Sequence, residues 1–511
     1  MIAAEPIVLE SYLAGHWSRG TGAGAALVDP ATGETVASAS SEGLDLGEGL
    51  RYAREVGGRA LRALTYAQRA ELLGRIADVL AARKDEWYEI ARRNSGNTRA
   101  DAAIDVDGAI ATLKYFAKAG AALGDATFLA DGAPQRLARD ANFQGLHLGM
   151  PVEGVAIHIN AYNFPAWGLW EKAAVALLAG VPVLAKPATA TAWLAVAMTR
   201  AVVEAGILPA GALSILAGSA GDLLLSVKFG DVLAFTGSAE TGETIREHPH
   251  VRGENIRVNV EADSLNASLL GPDGAPGTAV FDLFAREVVR EMTAKAGQKC
   301  TAIRRALVPA AFADAVVAAI SAALDAAPEV PPVVSPTSRD AVEAGIRALQ
   351  EAATLVYRRR HGSGEKAAYV APALFLADGD VPVVHDAEIF GPVATVVTYR
   401  DAAEAYALAR RGGGSLVASV FSADPVFLAQ SAAALGASHG RVLLVDPSIG
   451  DSHTGHGIVL PSLLHGGPGR AGNGEELGGL RGLWFYHQRT AVQGPAPVLA
   501  ELAGRAAEIA R

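Results

Sequence analysis

The chain holds a single cysteine, Cys300, at the end of the run Gly297-Gln298-Lys299. One cysteine can form neither an intramolecular disulfide nor a multi-cysteine zinc site, which suits a reducing compartment. Taken alone, such a residue reads as a small buried hydrophobe. Its context points to chemistry instead, because it sits in a loop after a helix, between two Gly-punctuated blocks. A thiolate adds readily to a carbonyl carbon, so aldehydes and thioesters are its natural targets. That role calls for partial access and a lowered pKa, and Lys295 and Lys299 are close in sequence. Lys186 ends an apolar run in a chain of nine lysines against 35 arginines. It reads either as a solvated strand end or as a ligand-binding cation. Gly237-Ser238-Ala239-Glu240-Thr241-Gly242 follows the run Val232–Phe235 and opens a helix, a place where backbone N–H groups suit a pyrophosphate.

The elements that must position these groups alternate. Val155–Ile159, Val181–Ala185, Leu213–Leu216, Val232–Phe235 and Ile256–Val260 read as strands, and 167–178 and 192–205 as helices between them. Strand–helix–strand repetition implies parallel strands with crossover helices, and uniformly apolar strands imply cover on both faces. A second block follows, with a helix over Phe281–Ala296 stopped by Gly297, then strands near 393–398 and 416–421. The stretch 128–148 interrupts the series as a hairpin arm, and Leu483–Gln493 reads as an extended terminal segment.

Several classes are disfavoured. The net charge of -10 repels nucleic-acid phosphates and anionic lipid, so neither is an expected partner. The start of the chain lacks a basic region, and the uncharged stretch 173–185 is too short to span a bilayer, so a cytoplasmic protein is expected. No HExxH, Gly-x-Ser-x-Gly or P-loop occurs. His453, His456 and His465 lie in Gly-rich sequence without an evident carboxylate or cysteine set, so no metal site is expected. Gly467-Pro468-Gly469-Arg470-Ala471-Gly472 fits GxGxxG but shows no strand leading in and no helix following, and reads as a tight loop at the mouth of a site. Arg358-Arg359-Arg360-His361 reads as a solvated face, with contact to a phosphorylated substrate as the alternative.

Asn163-Phe164-Pro165, Lys186-Pro187-Ala188, Phe235-Thr236-Gly237-Ser238 with Gly242, Glu261, Gly297–Cys300, Glu388-Ile389-Phe390-Gly391-Pro392 and His465–Gly469 occur in an order that resembles the aldehyde dehydrogenase superfamily over nearly the whole chain. The resemblance implies two Rossmann-like parallel-sheet domains plus a small β oligomerisation arm. It puts dinucleotide binding at 1–127 and 149–261, catalysis at 262–481, and the arm at 128–148 and 482–495. It makes Cys300 the nucleophile, Asn163 the oxyanion donor with the Cys300 N–H, and Glu261 the base that hydrolyses the thioester, with a raised or tunable pKa. Taken by themselves, Asn163 could be a turn residue and Glu261 a solvated strand end.

Lys186, Thr189, Thr236, Gly237, Ser238, Gly242, Glu388 and Phe390 would hold the cofactor. Thr189, where many NAD-preferring relatives carry Glu, favours NADP, with NAD as the alternative. Where the family continues its Glu with Leu-Gly-Gly-Lys, this chain reads Ala262-Asp263-Ser264-Leu265-Asn266, which leaves the loop shape open and makes Asp263 a minor rival base. Runs 164–186, 288–305 and 465–482 resemble the branch acting in CoA-linked aromatic degradation. They imply a substrate of the 3,4-dehydroadipyl-CoA semialdehyde type, oxidised with water by a stand-alone enzyme without a fused hydratase domain. The alternatives are a CoA-acylating reaction and a simple non-CoA aldehyde. A homo-oligomer, a dimer or a dimer of dimers, is expected.

Overall fold

A computed structural model describes residues 5–359 and 367–509. Two seven-stranded sheets dominate. In the first, the strands run in the order 257–261, 232–236, 156–159, 183–186, 213–215, 11–13 and 16–18. The first five are mutually parallel, and the N-terminal pair adds on antiparallel. In the second, the order is 354–358, 373–378, 393–399, 305–309, 267–270, 415–421 and 439–445, parallel except for the first strand. Helices cover both sheets, as apolar parallel strands require. Helix Trp167–Ala179 is buried along every residue but Gly168, and Gly180 ends it in the left-handed conformation at φ 90°. No helix among the described residues is long and apolar enough to cross a membrane.

Three expectations need correction. The helix read over Phe281–Ala296 spans Ala279–Thr293, with Thr278 as its N-cap. It breaks early because the Asp101 carboxylate captures the Lys295 N–H at 2.8 Å. Lys295, Ala296 and Gly297 then take φ of 51°, 53° and 66°. The segment read as extended from Leu483 begins as helical turns, Gly479–Tyr486, and the strand is His487–Pro495. Burial of Leu483 and Tyr486, and the 2.7 Å contact of His487 Nδ1 with the Leu483 carbonyl, hold those turns. The GxGxxG segment does have a strand leading in, Leu464–Gly467, but it belongs to an antiparallel ribbon with Gly474–Leu477. A 3₁₀ turn, Gly469–Ala471, follows instead of a helix.

The hairpin over 128–148 is two strands, Leu129–Arg136 and Phe143–Pro151, in a four-stranded sheet whose outer strand is His487–Pro495. Arg358 pairs with Glu343 at 2.5 Å, and Arg359 donates to the Ala327 carbonyl at 2.9 Å, so both are engaged structurally. Arg360 and His361 lie outside the described residues.

Candidate active site

Four parallel strands deliver their C-terminal ends to one edge of the first sheet. Register pairs Ile159 with Lys186, Phe235 with Ile159, and Thr236 with Glu261. In open α/β sheets that edge is where ligands bind. The loop ending in Cys300 faces it from the second sheet. A cavity of about 50 Å³ runs between Phe164, Trp167, Glu171, Val459 and His465, and a larger one of about 770 Å³ runs past Lys186, Thr189, Ser238, Glu388 and Phe390. Asn160, Ala161, Asn163, Thr236, Glu261 and Cys300 line both. A molecule in either cavity therefore meets the same sulfur, amide and carboxylate.

The loop carrying Cys300 is held by polar contacts. Asn266 Nδ2 donates to the Cys300 carbonyl at 2.8 Å and to the Ala302 carbonyl at 3.0 Å. The Arg304 guanidinium donates to the carbonyls of Gly391, Gly297 and Lys299 at 2.9, 3.0 and 3.3 Å, and stands 3.4 Å from Glu388. Gly297 is required twice over, by its φ of 66° and because a Cβ there would stand 2.2 Å from the Gly391 oxygen. The unusual segment Ala262–Asn266 is shaped by its own side chains. Ser264 Oγ donates to Asn266 Oδ1 at 2.6 Å, and the N–H groups of Leu416 and Val417 donate to Ser264 Oγ and Asn266 Oδ1. Asp263, the rival base, accepts the Ala239 N–H at 3.1 Å at the start of helix 239–247.

Electrostatics bear on two expectations. Neither nearby lysine lowers the Cys300 pKa. Lys299 is tied to Glu291 at 2.7 Å, and the Lys295 ammonium lies 4.7 Å from the centre of the Phe164 ring. Burial, together with the negative charges of Glu261, Glu171 and Glu388, pushes the Cys300 thiol well above its usual range. Glu261, read as a carboxyl with a raised or tunable pKa, is held low. Burial alone would raise it, but the His465 ring and the Lys172 ammonium outweigh that. The same pairing raises His465 against the opposing effect of burial. His465 Nε2 stands 3.2 Å from Glu261 Oε1, although that oxygen has no aligned hydrogen bond. His465 thus has beside it the carboxylate and cysteine that sequence reading did not find for it, while His456 is turned away to Ser419 Oγ at 2.8 Å. Lys172 is buried between Glu171 at 3.2 Å and Glu476 at 2.9 Å, and burial pushes Glu476 up to about 7.

Along the larger cavity, Ser238 caps helix 239–247 by accepting the Thr241 N–H. A Cβ on Gly237 would strike the Phe235 ring at 2.5 Å, and one on Gly242 would meet Val260 at 2.9 Å. Thr236 Oγ1 is buried without a partner. Thr189 Oγ1 donates to the Gly218 carbonyl at 2.9 Å, and burial lowers the Lys186 ammonium. Glu388 accepts the Ser264 N–H at 3.1 Å and is pushed up to about 7 by burial, against the opposing charge of Arg304. Phe390 packs edge-on to Tyr162, with ring centres 5.9 Å apart.

Residues 17–492 match the aldehyde dehydrogenase family. The chain belongs to that family. As an aldehyde dehydrogenase it is an oxidoreductase acting on aldehydes. It is 50% identical over 477 residues, 90% of this chain and 93% of the relative, to the 3,4-dehydroadipyl-CoA semialdehyde dehydrogenase of Aromatoleum evansii. It is 30% identical over 431 residues, 81% of this chain and 83% of the relative, to the non-phosphorylating aspartate-semialdehyde dehydrogenase of Halomonas elongata. Among solved structures, betaine aldehyde dehydrogenase from Staphylococcus aureus, in complex with NAD+, superposes with a TM-score of 0.81 at 22% identity, covering 95% of each chain. The fold is the aldehyde dehydrogenase fold, as the sequence motifs implied. This dehydrogenase surrounds its thiol with groups that sequence reading passed over. Lys172 carried only a helical-spacing signal, Glu171 and Glu476 none, and Arg304 and Asn266 work through backbone carbonyls that no motif displays.

Proposed function

We propose that the enzyme oxidises the aldehyde end of a CoA-linked semialdehyde to a carboxylate, using NADP. Cys300 serves as nucleophile, Asn163 as oxyanion donor and Glu261 as hydrolytic base. The observation that carries this reading is the wall of Asn163, Thr236, Glu261 and Cys300 common to both cavities. The aldehyde would enter from the smaller cavity. The Cys300 sulfur forms a bond to its carbonyl carbon, the C=O π bond breaks, and the thiol proton passes to Glu261, the carboxylate beside it. Asn163 meets the oxyanion, a contact whose loss typically costs about 10²–10³ in kcat.

The larger cavity suits a dinucleotide. The orphaned Thr236 hydroxyl and the bare Gly237 offer polar and close approach, Lys186 a cation, and Glu388 with Phe390 an acceptor and a flat ring. When bound, the nicotinamide supplies the hydride acceptor. After oxidation the acyl group stays on sulfur. Glu261 first passes the thiol's proton on to solvent; it then takes a proton from water as the water oxygen bonds to the acyl carbon, and the C–S bond breaks to return the Cys300 thiolate. The buried cluster of Lys172, Glu171 and Glu476 lies behind Glu261 and supplies a group near neutrality to pass that proton on.

Thr189 and Lys186 support NADP, since no acid at 189 repels a 2′-phosphate. The smaller cavity, about 50 Å³, lies well below the usual pocket range of roughly 300–1,000 Å³ and admits only a slender group. It suits an acyl-aldehyde chain and leaves a CoA handle at the mouth. The long outer strand His487–Pro495, mostly exposed, supports a homo-oligomer joined through the arm.

The test is a comparison of kcat/KM for a CoA-linked semialdehyde and for a simple aliphatic aldehyde with each dinucleotide, together with product analysis. The proposal expects the CoA substrate and NADP to be favoured by at least about tenfold, some 1.4 kcal/mol in transition-state binding, and a free carboxylate as product. Preference for the simple aldehyde, or a new thioester formed with free CoA, would overturn it.

A further inference from the structure

Cys300 Sγ, a His465 ring nitrogen and a Glu261 carboxylate oxygen lie within 4.8 Å of one another. They come from three separate supports: the loop after the helix ending at Thr293, the ribbon strand Leu464–Gly467, and the end of strand Arg257–Glu261. Tetrahedral zinc holds S, N and O ligands at roughly 2.0–2.3 Å, which puts the ligands about 3.3–3.8 Å from one another. His465 Nε2 and Glu261 Oε1, at 3.2 Å, are almost at that spacing. Cys300 lies in the turn before strand Arg305–Pro309, with its sulfur within 4.8 Å of both other ligand atoms. Glu261 is 2% exposed, and its Oε1, 3.2 Å from His465 Nε2, makes no aligned hydrogen bond, so a buried acceptor is held at the gap. The cavity along Trp167 and Val459 leaves the fourth position open to water.

We infer that Cys300, Glu261 and His465 form a reversible binding site for a borderline-soft divalent cation, with Zn2+ as the fitting ion, and that its occupancy switches the enzyme off. A mixed S, N and O set selects such an ion over Mg2+ and Ca2+, which take oxygen ligands. On binding, the Cys300 S–H bond and the His465 Nε2–H bond that faces Glu261 both break, the two protons leave to solvent, and a sulfur–zinc bond forms. His465 gives its nitrogen lone pair and Glu261 an oxygen lone pair, and no electron is transferred. The occupied sulfur cannot attack a carbonyl, and the occupied carboxylate cannot accept a proton. The device also shields a reactive thiol from oxidation and is undone by a chelator. His465 is the residue that makes the site, because the other two are already committed to the reaction.

The chain suits a direct test, since it has one cysteine. The full-length protein is stripped of metal, and the rate of iodoacetamide labelling of Cys300 is followed by mass against added ZnCl₂. The expected result is at least a tenfold slowing at about 10 μM Zn2+, full recovery with EDTA, and no effect of MgCl₂. Co2+ in place of Zn2+ should give a near-ultraviolet thiolate-to-cobalt absorption band. In His465→Gln, and separately in Glu261→Gln, half-protection should need at least about tenfold more Zn2+, each variant being compared with its own metal-free rate. No protection of the wild type at about 100 μM Zn2+, or a change of less than tenfold in both variants, overturns the inference.

Discussion

Arg304→Met removes one guanidinium that ties three carbonyls and a carboxylate together, at 2.9, 3.0, 3.3 and 3.4 Å. The side chain is 5% exposed, so water does not readily replace it. Deleting one partner of a buried charged pair costs roughly 3–5 kcal/mol, and each orphaned carbonyl adds up to about 1–3 kcal/mol where it stays dry. Relaxation and water entry into the vacated volume limit the sum, so about 4 kcal/mol is expected. The change reaches the site as well. Arg304 is the charge that opposes the upward push of burial on Glu388, already at about 7, so its loss moves that carboxyl higher still. At pH 7 Glu388 becomes largely neutral and a poorer acceptor for a ribose hydroxyl, so the KM for the dinucleotide rises. Urea denaturation, with activity at saturating and subsaturating cofactor, reads both effects. Arg304→Lys keeps the charge but cannot span four acceptors, and should fall between the two. An unfolding free energy for Arg304→Met within about 1 kcal/mol of wild type, with unchanged KM, would refute the reasoning.

Other outcomes follow from the same geometry. Because Cys300 is held well above its usual pKa, iodoacetamide labelling of the wild type should climb steadily with pH through about 9 without a plateau. Glu261→Gln removes a negative charge that raises that thiol, so its labelling at pH 8 should be faster; slower labelling would show that the carboxylate lowers the thiol pKa. Gly297→Ala forces a Cβ to 2.2 Å from the Gly391 oxygen at φ 66°, and should cost at least about 3 kcal/mol or abolish folded expression; a fully stable variant would sink that assignment. Thr189→Glu should lower kcat/KM for NADP relative to NAD by at least about tenfold, and an unchanged ratio would remove Thr189 from specificity.

The strands that carry the site were legible because buried parallel strands leave uniform apolar runs, and Lys186, Thr236 and Glu261 each close one. The ending of the helix after Thr293 was not. Gly297 marked a stop, but the break comes earlier, through the carboxylate of Asp101, nearly two hundred residues upstream. The Cys300 environment was misread for the same reason. Proximity in sequence suggested lysine activation, whereas the charges that reach the sulfur are carboxylates from separate elements, Glu171, Glu261 and Glu388. His465 stood out only as part of a Gly-rich family motif, and its partners were hidden because they exist only once the ribbon folds against the first sheet. The Ala262–Asn266 departure was legible as a departure, and its meaning lies in Ser264 and Asn266 clamping the strand 415–421.

Acyl-enzyme trapping in Glu261→Gln tests the central claim most directly. Mixed with an aldehyde and NADP, this variant should release a burst of reduced cofactor near one equivalent and then stall. Intact-mass and peptide analysis should find the acyl group on the peptide containing Cys300. Steady turnover at the wild-type rate with an unmodified Cys300 would contradict the account.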